Sequence, residues 1–117
     1  MIKGVGVDLV EIGRIKTAVK NIGDRFLKRI YSDFELAYCT RRKALRFPEL
    51  AVRFAAKEAY GKALGTGIKG HHWNEIEVRN DPKGKPLIYY KGKLQPKVQV
   101  SLSHDGNLAI AFLIIEE

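Results

Sequence analysis

The sequence has little of what a secreted or membrane-spanning protein needs. Cys39 is its single cysteine, so neither an intrachain disulfide nor a cysteine-based zinc site can form. The start of the chain lacks the charged, apolar and cleavage-site regions of a signal peptide, and no apolar run reaches the roughly 18 residues that span a bilayer. We therefore expect a soluble cytoplasmic protein in which Cys39 is a small packing residue.

Acidic residues, prolines and low-complexity segments are also scarce. Thirteen acidic residues stand against 21 basic ones, and the net charge of +8 attracts anions. Nucleic acid, an anionic membrane, a polyphosphate ligand and an acidic protein are all compatible with that charge. The chain has four prolines, 45% hydrophobic residues and no evident linker, and at its length about two thirds of the unfolded surface can be buried. We interpret residues 1–117 as one domain.

Hydrophobic spacing in the first half predicts a strand followed by helices. Residues 2–10 have a strand pattern in which Gly4 and Gly6 permit close backbone approach. Basic residues lie on the opposite face from a set of apolar residues that recur at helical spacing up to the stop signal Gly23. These apolar residues are Ile12, Ile15, Val19 and Ile22. This pattern predicts a first helix with a basic outer face.

Two more helices are predicted before the middle of the chain. After a short turn at residues 24–30, Ser32 and Glu35 form a capping box that opens a second helix, which we expect to end in the basic residues 41–46. Pro48 suits the first turn of a third helix, which runs to about Gly65.

Short strand patterns dominate the second half. They cover residues 73–79, 87–90, 98–103 and 108–115, with turn residues between them. The dipeptide Asp105-Gly106 predicts a hairpin between the last two strands. His104 is therefore expected at a strand tip, where a histidine is more often a turn residue than a catalytic group.

Asp8 and Glu58 are carboxylates among apolar or small neighbours. Such a carboxylate needs a proton, a base or a cation, and two without an evident arginine partner favour a hard metal ion. Lys62, one turn after Glu58, adds a cation suited to a phosphate. Simpler interpretations remain: Asp8 as the cap of the first helix, and Glu58 with Lys62 as an ordinary surface pair worth about 0.2 to 0.5 kcal/mol.

The other face of the third helix favours a buried environment. Small residues recur there and suit close packing against another backbone, which a freely solvated helix does not need: Ala51, Ala55, Ala56, Ala59, Gly61, Ala63 and Gly65. This packing makes a pocket around Glu58 as plausible as a surface pair.

Several segments together resemble the holo-acyl-carrier-protein synthases, which are 4′-phosphopantetheinyl transferases. The similarity covers essentially the whole chain, in the family's order and spacing. It lies in residues 4–11 with Arg14, in residues 53–67 (RFAAKEAYGKALGTG), and in residues 73–78, 84–86 and 101–105. The resemblance implies Mg²⁺-dependent transfer of the phosphopantetheine arm of coenzyme A to a serine of an apo acyl carrier protein, releasing adenosine 3′,5′-bisphosphate, in support of fatty acid biosynthesis.

By this resemblance, Asp8 and Glu58 are expected to hold the magnesium ion, and Lys62 to neutralise charge on the transferred phosphate. Glu58 is also our candidate for the base that accepts the serine proton. The coenzyme is expected to contact Ser103 and His104, and the loop with Gly65 and Thr66 to cover it through backbone amides.

The family's fold is α+β, with the N-terminal strand and helices packed on a mainly antiparallel sheet. Its members of this length are homotrimers with active sites between adjacent subunits. Because acyl carrier proteins are acidic, the resemblance assigns carrier docking to Arg14, Lys20 and Arg25.

Two other functions remain open at this point. A small basic RNA-binding domain explains the charge and the sheet, but it leaves Glu58 unexplained and lacks a visible nucleic-acid motif. An inactive module that binds carrier proteins needs the basic helix but not both carboxylates. Metal dependence separates the three, and we expect no membrane or nucleic-acid partner.

Overall fold

The computed structural model describes residues 1–68 and 72–117. The elements follow in chain order: β1 Ile2–Glu11, α1 Ile12–Ile22, α2 Asp24–Ile30, α3 Asp33–Tyr38, β2 Thr40–Arg41, β3 Ala44–Leu45, α4 Phe47–Leu64, a 3-10 turn Trp73–Glu75, β4 Ile76–Asn80, β5 Pro86–Tyr90, β6 Lys93–Leu94, β7 Val98–Asp105 and β8 Leu108–Glu116. The architecture is α+β with antiparallel pairing in each sheet, as expected. No helix within the described residues is long and apolar enough to span a membrane.

Helix α4 packs across the main sheet, whose strand order is β1-β8-β7. The face of α4 toward the sheet is lined by small buried residues, among them Ala55 and Ala59. Pro48 lies in the first turn of the helix, and Gly65 ends it in a left-handed conformation with φ of 83°. Both predicted ends of the third helix are therefore confirmed.

The close backbone approach predicted from Gly4 and Gly6 occurs between β1 and α4. A Cβ atom added at Gly6 would lie 1.9 Å from the carbonyl oxygen of Ala59, and one at Gly4 would lie 2.1 Å from that of Ala63. Since no side chain larger than hydrogen fits there, these glycines set the distance between the strand and the helix. The small residues of α4 thus have the backbone partner that their pattern predicted.

Two predictions for residues 24–46 are wrong. Residues 24–30 form helix α2 rather than a turn, with Leu27 and Ile30 buried. The capping box of Ser32 and Glu35 is present, but α3 ends at Tyr38 instead of continuing into residues 41–46.

Residues 40–45 form the small hairpin of β2 and β3. Its turn residues Arg42 and Lys43 adopt positive φ. The hairpin replaces the last predicted turns of the helix because Arg46 N donates to the carbonyl oxygen of Cys39, which closes the chain on itself. Cys39 is fully buried, as predicted, and burial raises the pKa of its thiol to about 11.

A buried ion pair joins α3 to α4. Lys57 Nζ lies 2.7 Å from Glu35 Oε1, and both side chains are fully buried. Lys57 also donates to the carbonyl oxygens of Trp73 and Ile76, and Glu35 Oε2 accepts from Val78 N. The pair therefore fastens the start of the sheet β4-β5-β6 to the middle of α4.

Candidate active site

Asp8, Glu58 and Lys62 meet where β1 crosses the C-terminal half of α4. Lys62 Nζ donates hydrogen bonds of 3.0 Å to Asp8 Oδ1 and to the carbonyl oxygen of Val7. The Asp8 side chain is 16% exposed and that of Lys62 is 52% exposed, so the cluster is open to solvent on one side. Gly4 and Gly6 bring β1 close enough to α4 for this contact.

Glu58 is half-buried beside this ion pair. Burial raises the pKa of its carboxyl, the negative charge of Asp8 raises the pKa further, and Lys62 lowers it. The two carboxylates therefore interact electrostatically. A raised pKa suits a carboxylate that accepts a proton near neutral pH.

Both simpler interpretations of these carboxylates are wrong. Asp8 lies inside β1 and does not cap α1, whose N-cap residue is Glu11. Lys62 forms its ion pair with Asp8, and within the described residues no basic group lies within 4 Å of the Glu58 carboxylate. Asp8 therefore has a basic partner, Lys62, that was not evident from the sequence.

The donor set fits a magnesium ion that is shared with a phosphate. Among residues 1–68 and 72–117, no three His, Cys, Asp or Glu side chains gather around one point. Asp8 and Glu58 alone cannot complete a coordination shell, but Mg²⁺ in phosphate chemistry is commonly held by one or two carboxylates, with water and phosphate oxygens as the other ligands. A cation between the two carboxylates would also relieve their repulsion.

Ser103 and His104 lie elsewhere, in an open cleft of about 490 Å³. His104 is near the end of β7, as predicted, and its Nε2 lies 3.9 Å from Glu49 Oε1 at the start of α4. The lining residues come from α3, α4, β7, the end of β4, the start of β5 and the turn between these two strands. The described cleft does not include Asp8, Glu58 or Lys62, so one chain does not bring the two groups of predicted residues together.

Sequence reasoning assigned no role to Arg53, although it lines the same cleft. Its guanidinium is buried, donates to Glu49 Oε2 at 2.9 Å and to Asn80 Oδ1 at 2.7 Å, and stacks on the Tyr38 ring. Among the residues that the structure describes, none forms a hydrogen bond with its Nε. The i,i+4 spacing of Glu49 and Arg53 predicts their pairing, whereas the contacts with Asn80 and Tyr38 depend on tertiary structure.

The loop with Gly65 and Thr66 leaves α4 one turn after Lys62. Both residues are exposed. Gly67 N donates to the carbonyl oxygen of Gly61, so the loop folds back on the helix end. It therefore lies at the end of α4 that carries Lys62, and the residues lining the cleft of Ser103 and His104 do not include it.

Arg14 and Lys20 are exposed on α1, and Arg25 is exposed on α2. The prediction that the first helix has an exposed basic face is thus confirmed. Its apolar spacing is confirmed at Ile12 and Ile15, which are buried, while Ile22 is 46% exposed.

The whole chain is similar to known proteins. A family model described as the 4′-phosphopantetheinyl transferase superfamily matches residues 4–113. A holo-[acyl-carrier-protein] synthase of Halothermothrix orenii is 43% identical over 125 residues, covering 100% of this chain and 99% of the relative. One of Chloroherpeton thalassium is 45% identical, covering 96% of each.

Solved structures are similar over nearly the whole fold. The holo-[acyl-carrier-protein] synthase of Neisseria meningitidis has a TM-score of 0.87 and 35% identity, covering 100% of both chains. The Bacillus anthracis enzyme, solved with CoA (3′,5′-ADP), has a TM-score of 0.83 and 39% identity, covering 98% of this chain and 96% of its own. The Helicobacter pylori enzyme, solved with coenzyme A, has a TM-score of 0.81 and 33% identity, covering 96% of this chain and 99% of its own.

Proposed function

The chain belongs to the 4′-phosphopantetheinyl transferase superfamily, and we propose that it transfers the 4′-phosphopantetheine arm of coenzyme A to a serine of an apo acyl carrier protein. The product of transfer is the holo carrier protein, and the leaving group is adenosine 3′,5′-bisphosphate. Among the structural features, the meeting of Asp8, Glu58 and Lys62 supports this proposal most strongly. Two carboxylates and a lysine at one open site suit a pyrophosphate with a bound cation.

We assign Asp8 and Glu58 as the magnesium ligands. When bound there, Mg²⁺ would neutralise and polarise the pyrophosphate oxygens. The residues fit this assignment because the two carboxylates lie close enough to perturb each other and are open on one side.

Glu58 and Lys62 would act on the reacting atoms. The serine oxygen forms a bond to the pyrophosphate phosphorus that carries the pantetheine. The bond from that phosphorus to the bridging oxygen breaks, and this oxygen leaves with the nucleotide. Glu58 would accept the serine proton, directly or through a water molecule, which its raised pKa favours. Lys62 would donate to the phosphate oxygens, where a fixed cation stabilises the transition state.

The cleft of Ser103 and His104 would bind the nucleotide phosphates of the coenzyme. The Arg53 guanidinium in the same cleft wall is already paired with Glu49, so this assignment rests on the polar side chains of Ser103 and His104. Gly65 and Thr66 would cover the part of the coenzyme near Lys62 through backbone amides.

The separation of the cleft from Asp8, Glu58 and Lys62 supports active sites between subunits of a homotrimer. One subunit would supply the cleft and its neighbour the two carboxylates. The outer face of the main sheet favours such an assembly, because it presents exposed apolar side chains from β1 and β8: Val5, Val7, Leu9, Leu108, Ile110 and Phe112. An apolar face of this kind is usually covered by another protein surface.

Carrier docking would use the exposed cations Arg14, Lys20 and Arg25. An acidic carrier is attracted by the net charge of +8 and would be oriented by this face of α1 and α2. A cytoplasmic location stays a prediction.

The direct test is mass spectrometry of an apo acyl carrier protein incubated with this protein, coenzyme A and Mg²⁺. We expect one added phosphopantetheine on a serine, and no addition when Mg²⁺ is replaced by a chelator. No added mass with several apo carrier proteins would refute the transferase function. Tight, salt-sensitive RNA binding together with that result would favour the RNA-binding alternative.

A further inference from the structure

We propose that Lys62 is a positioning residue for Asp8. It pairs with the Asp8 carboxylate as a substitute for the metal cation until the coenzyme binds. This inference rests on the proposed metal site and adds a step before catalysis. Lys62 Nζ lies 3.0 Å from Asp8 Oδ1 and 3.0 Å from the carbonyl oxygen of Val7, so it bridges a side chain and the backbone of the same strand.

The two bonds hold the Asp8 carboxylate and its strand against the surface of α4. Asp8 and Lys62 are 54 residues apart, and the bond between them joins β1 to α4 at the crossing. Because the carboxylate is already held beside Glu58, the two proposed metal ligands are arranged before a metal binds.

The same bonds make Lys62 a competitor of the metal. An ammonium on Asp8 Oδ1 occupies a ligand oxygen and supplies the positive charge that the carboxylate pair would otherwise take from Mg²⁺. The Lys62 side chain is 52% exposed on a flexible stem, so the contact can open without disturbing the core.

A pyrophosphate would end this competition. Its oxygens can accept hydrogen bonds from Lys62 Nζ, so Lys62 would leave Asp8 for the phosphate, and the freed carboxylate would be available to hold Mg²⁺. Coenzyme and metal would then each strengthen the binding of the other.

The test measures Mg²⁺ affinity of the full-length protein without coenzyme, by titration calorimetry and by competition with Mn²⁺ observed by electron paramagnetic resonance. We expect Lys62→Met to bind Mg²⁺ about 5-fold more tightly than wild type, the factor that corresponds to an ion pair of ~1 kcal/mol. Lys62→Arg should keep weak binding because it keeps the charge.

Lys3→Met is the matched control. Lys3 is exposed on β1, five residues and roughly 16 Å along the strand from Asp8. Its removal changes net charge equally without touching the cluster, so Mg²⁺ affinity should stay within about 2-fold of wild type at physiological salt. In the Asp8→Asn background, Lys62→Met should no longer tighten binding.

Equal or weaker Mg²⁺ binding by Lys62→Met, with measurable binding by wild type, would overturn the role of Lys62 and leave the metal site standing. Equal tightening by Lys3→Met would also overturn it, because the effect would then be one of net charge. Absence of Mg²⁺ binding by Lys62→Met as well as by wild type would overturn this inference, whereas the metal site itself is tested by the Mg²⁺ dependence of turnover with coenzyme present.

Discussion

Lys57 Nζ lies 2.7 Å from Glu35 Oε1, with both side chains fully buried between α3, α4 and β4. Burial lowers the pKa of Lys57, and the charge of Glu35 opposes that change. Breaking such a pair leaves an unpaired buried charge, which typically costs about 3 to 5 kcal/mol.

We therefore predict that Lys57→Met lowers the free energy of unfolding by about 3 kcal/mol or more. Urea denaturation followed by circular dichroism measures the change. The double variant Lys57→Met/Glu35→Gln should lose less than the sum of the two single variants, because it leaves no charge unpaired. Additive losses would show that the two groups do not stabilise each other.

Glu58 should reduce stability at neutral pH. Its pKa is raised in the folded chain, so the folded state binds the proton more tightly than the unfolded state, and stability falls as pH rises through the folded pKa. We predict that Glu58→Gln raises Tm at pH 7 and that this gain disappears below the usual carboxyl pKa of about 4.5, where both states are protonated. A lower Tm at pH 7 would contradict the prediction.

Asp8 and Glu58 should both be required for turnover. We expect Asp8→Asn and Glu58→Gln to cut carrier-protein modification severely, and each to weaken Mg²⁺ affinity by about 10-fold or more. Turnover as a function of Mg²⁺ concentration checks this, and added Mg²⁺ should partly rescue one variant. Near-normal turnover with unchanged Mg²⁺ dependence would exclude the assignment for that residue.

Gly6→Ala should disturb the crossing of β1 and α4. The new Cβ would lie 1.9 Å from the carbonyl oxygen of Ala59, so the strand must move, at a cost of about 1 to 3 kcal/mol. Gly13→Ala is the control, since its Cβ meets Asn107 Oδ1 at an ordinary 3.5 Å. Thermal unfolding of both variants measures the difference, and equal stabilities would show that β1 can shift freely.

Arg14→Glu should affect the carrier protein more than the coenzyme. Arg14 is exposed on α1, so its reversal should raise KM for an acidic carrier several-fold at low salt while KM for coenzyme A stays within about 2-fold. The difference should shrink as salt screens the charges. Unchanged carrier kinetics at low salt would remove α1 as the docking surface.

Local patterns predicted β1, α1, α4 and the β7–β8 hairpin because each of these elements carries its own periodicity and end signals. They failed for residues 40–45, where the basic residues suggested the end of a helix. There the pairing of β2 with β3 and the bond from Arg46 N to Cys39 outweigh the weak preference of cations for helix ends.

For the candidate site, the sequence by itself determined the chemistry: two carboxylates in apolar or small surroundings and a lysine one turn from Glu58. Only the tertiary structure decided that Lys62 pairs with Asp8. A helical Glu-to-Lys pair is worth about 0.2 to 0.5 kcal/mol, too little to hold the lysine when another carboxylate and a carbonyl oxygen lie in reach. That reach exists because Gly4 and Gly6 let β1 contact the backbone of α4, which helical spacing alone cannot reveal.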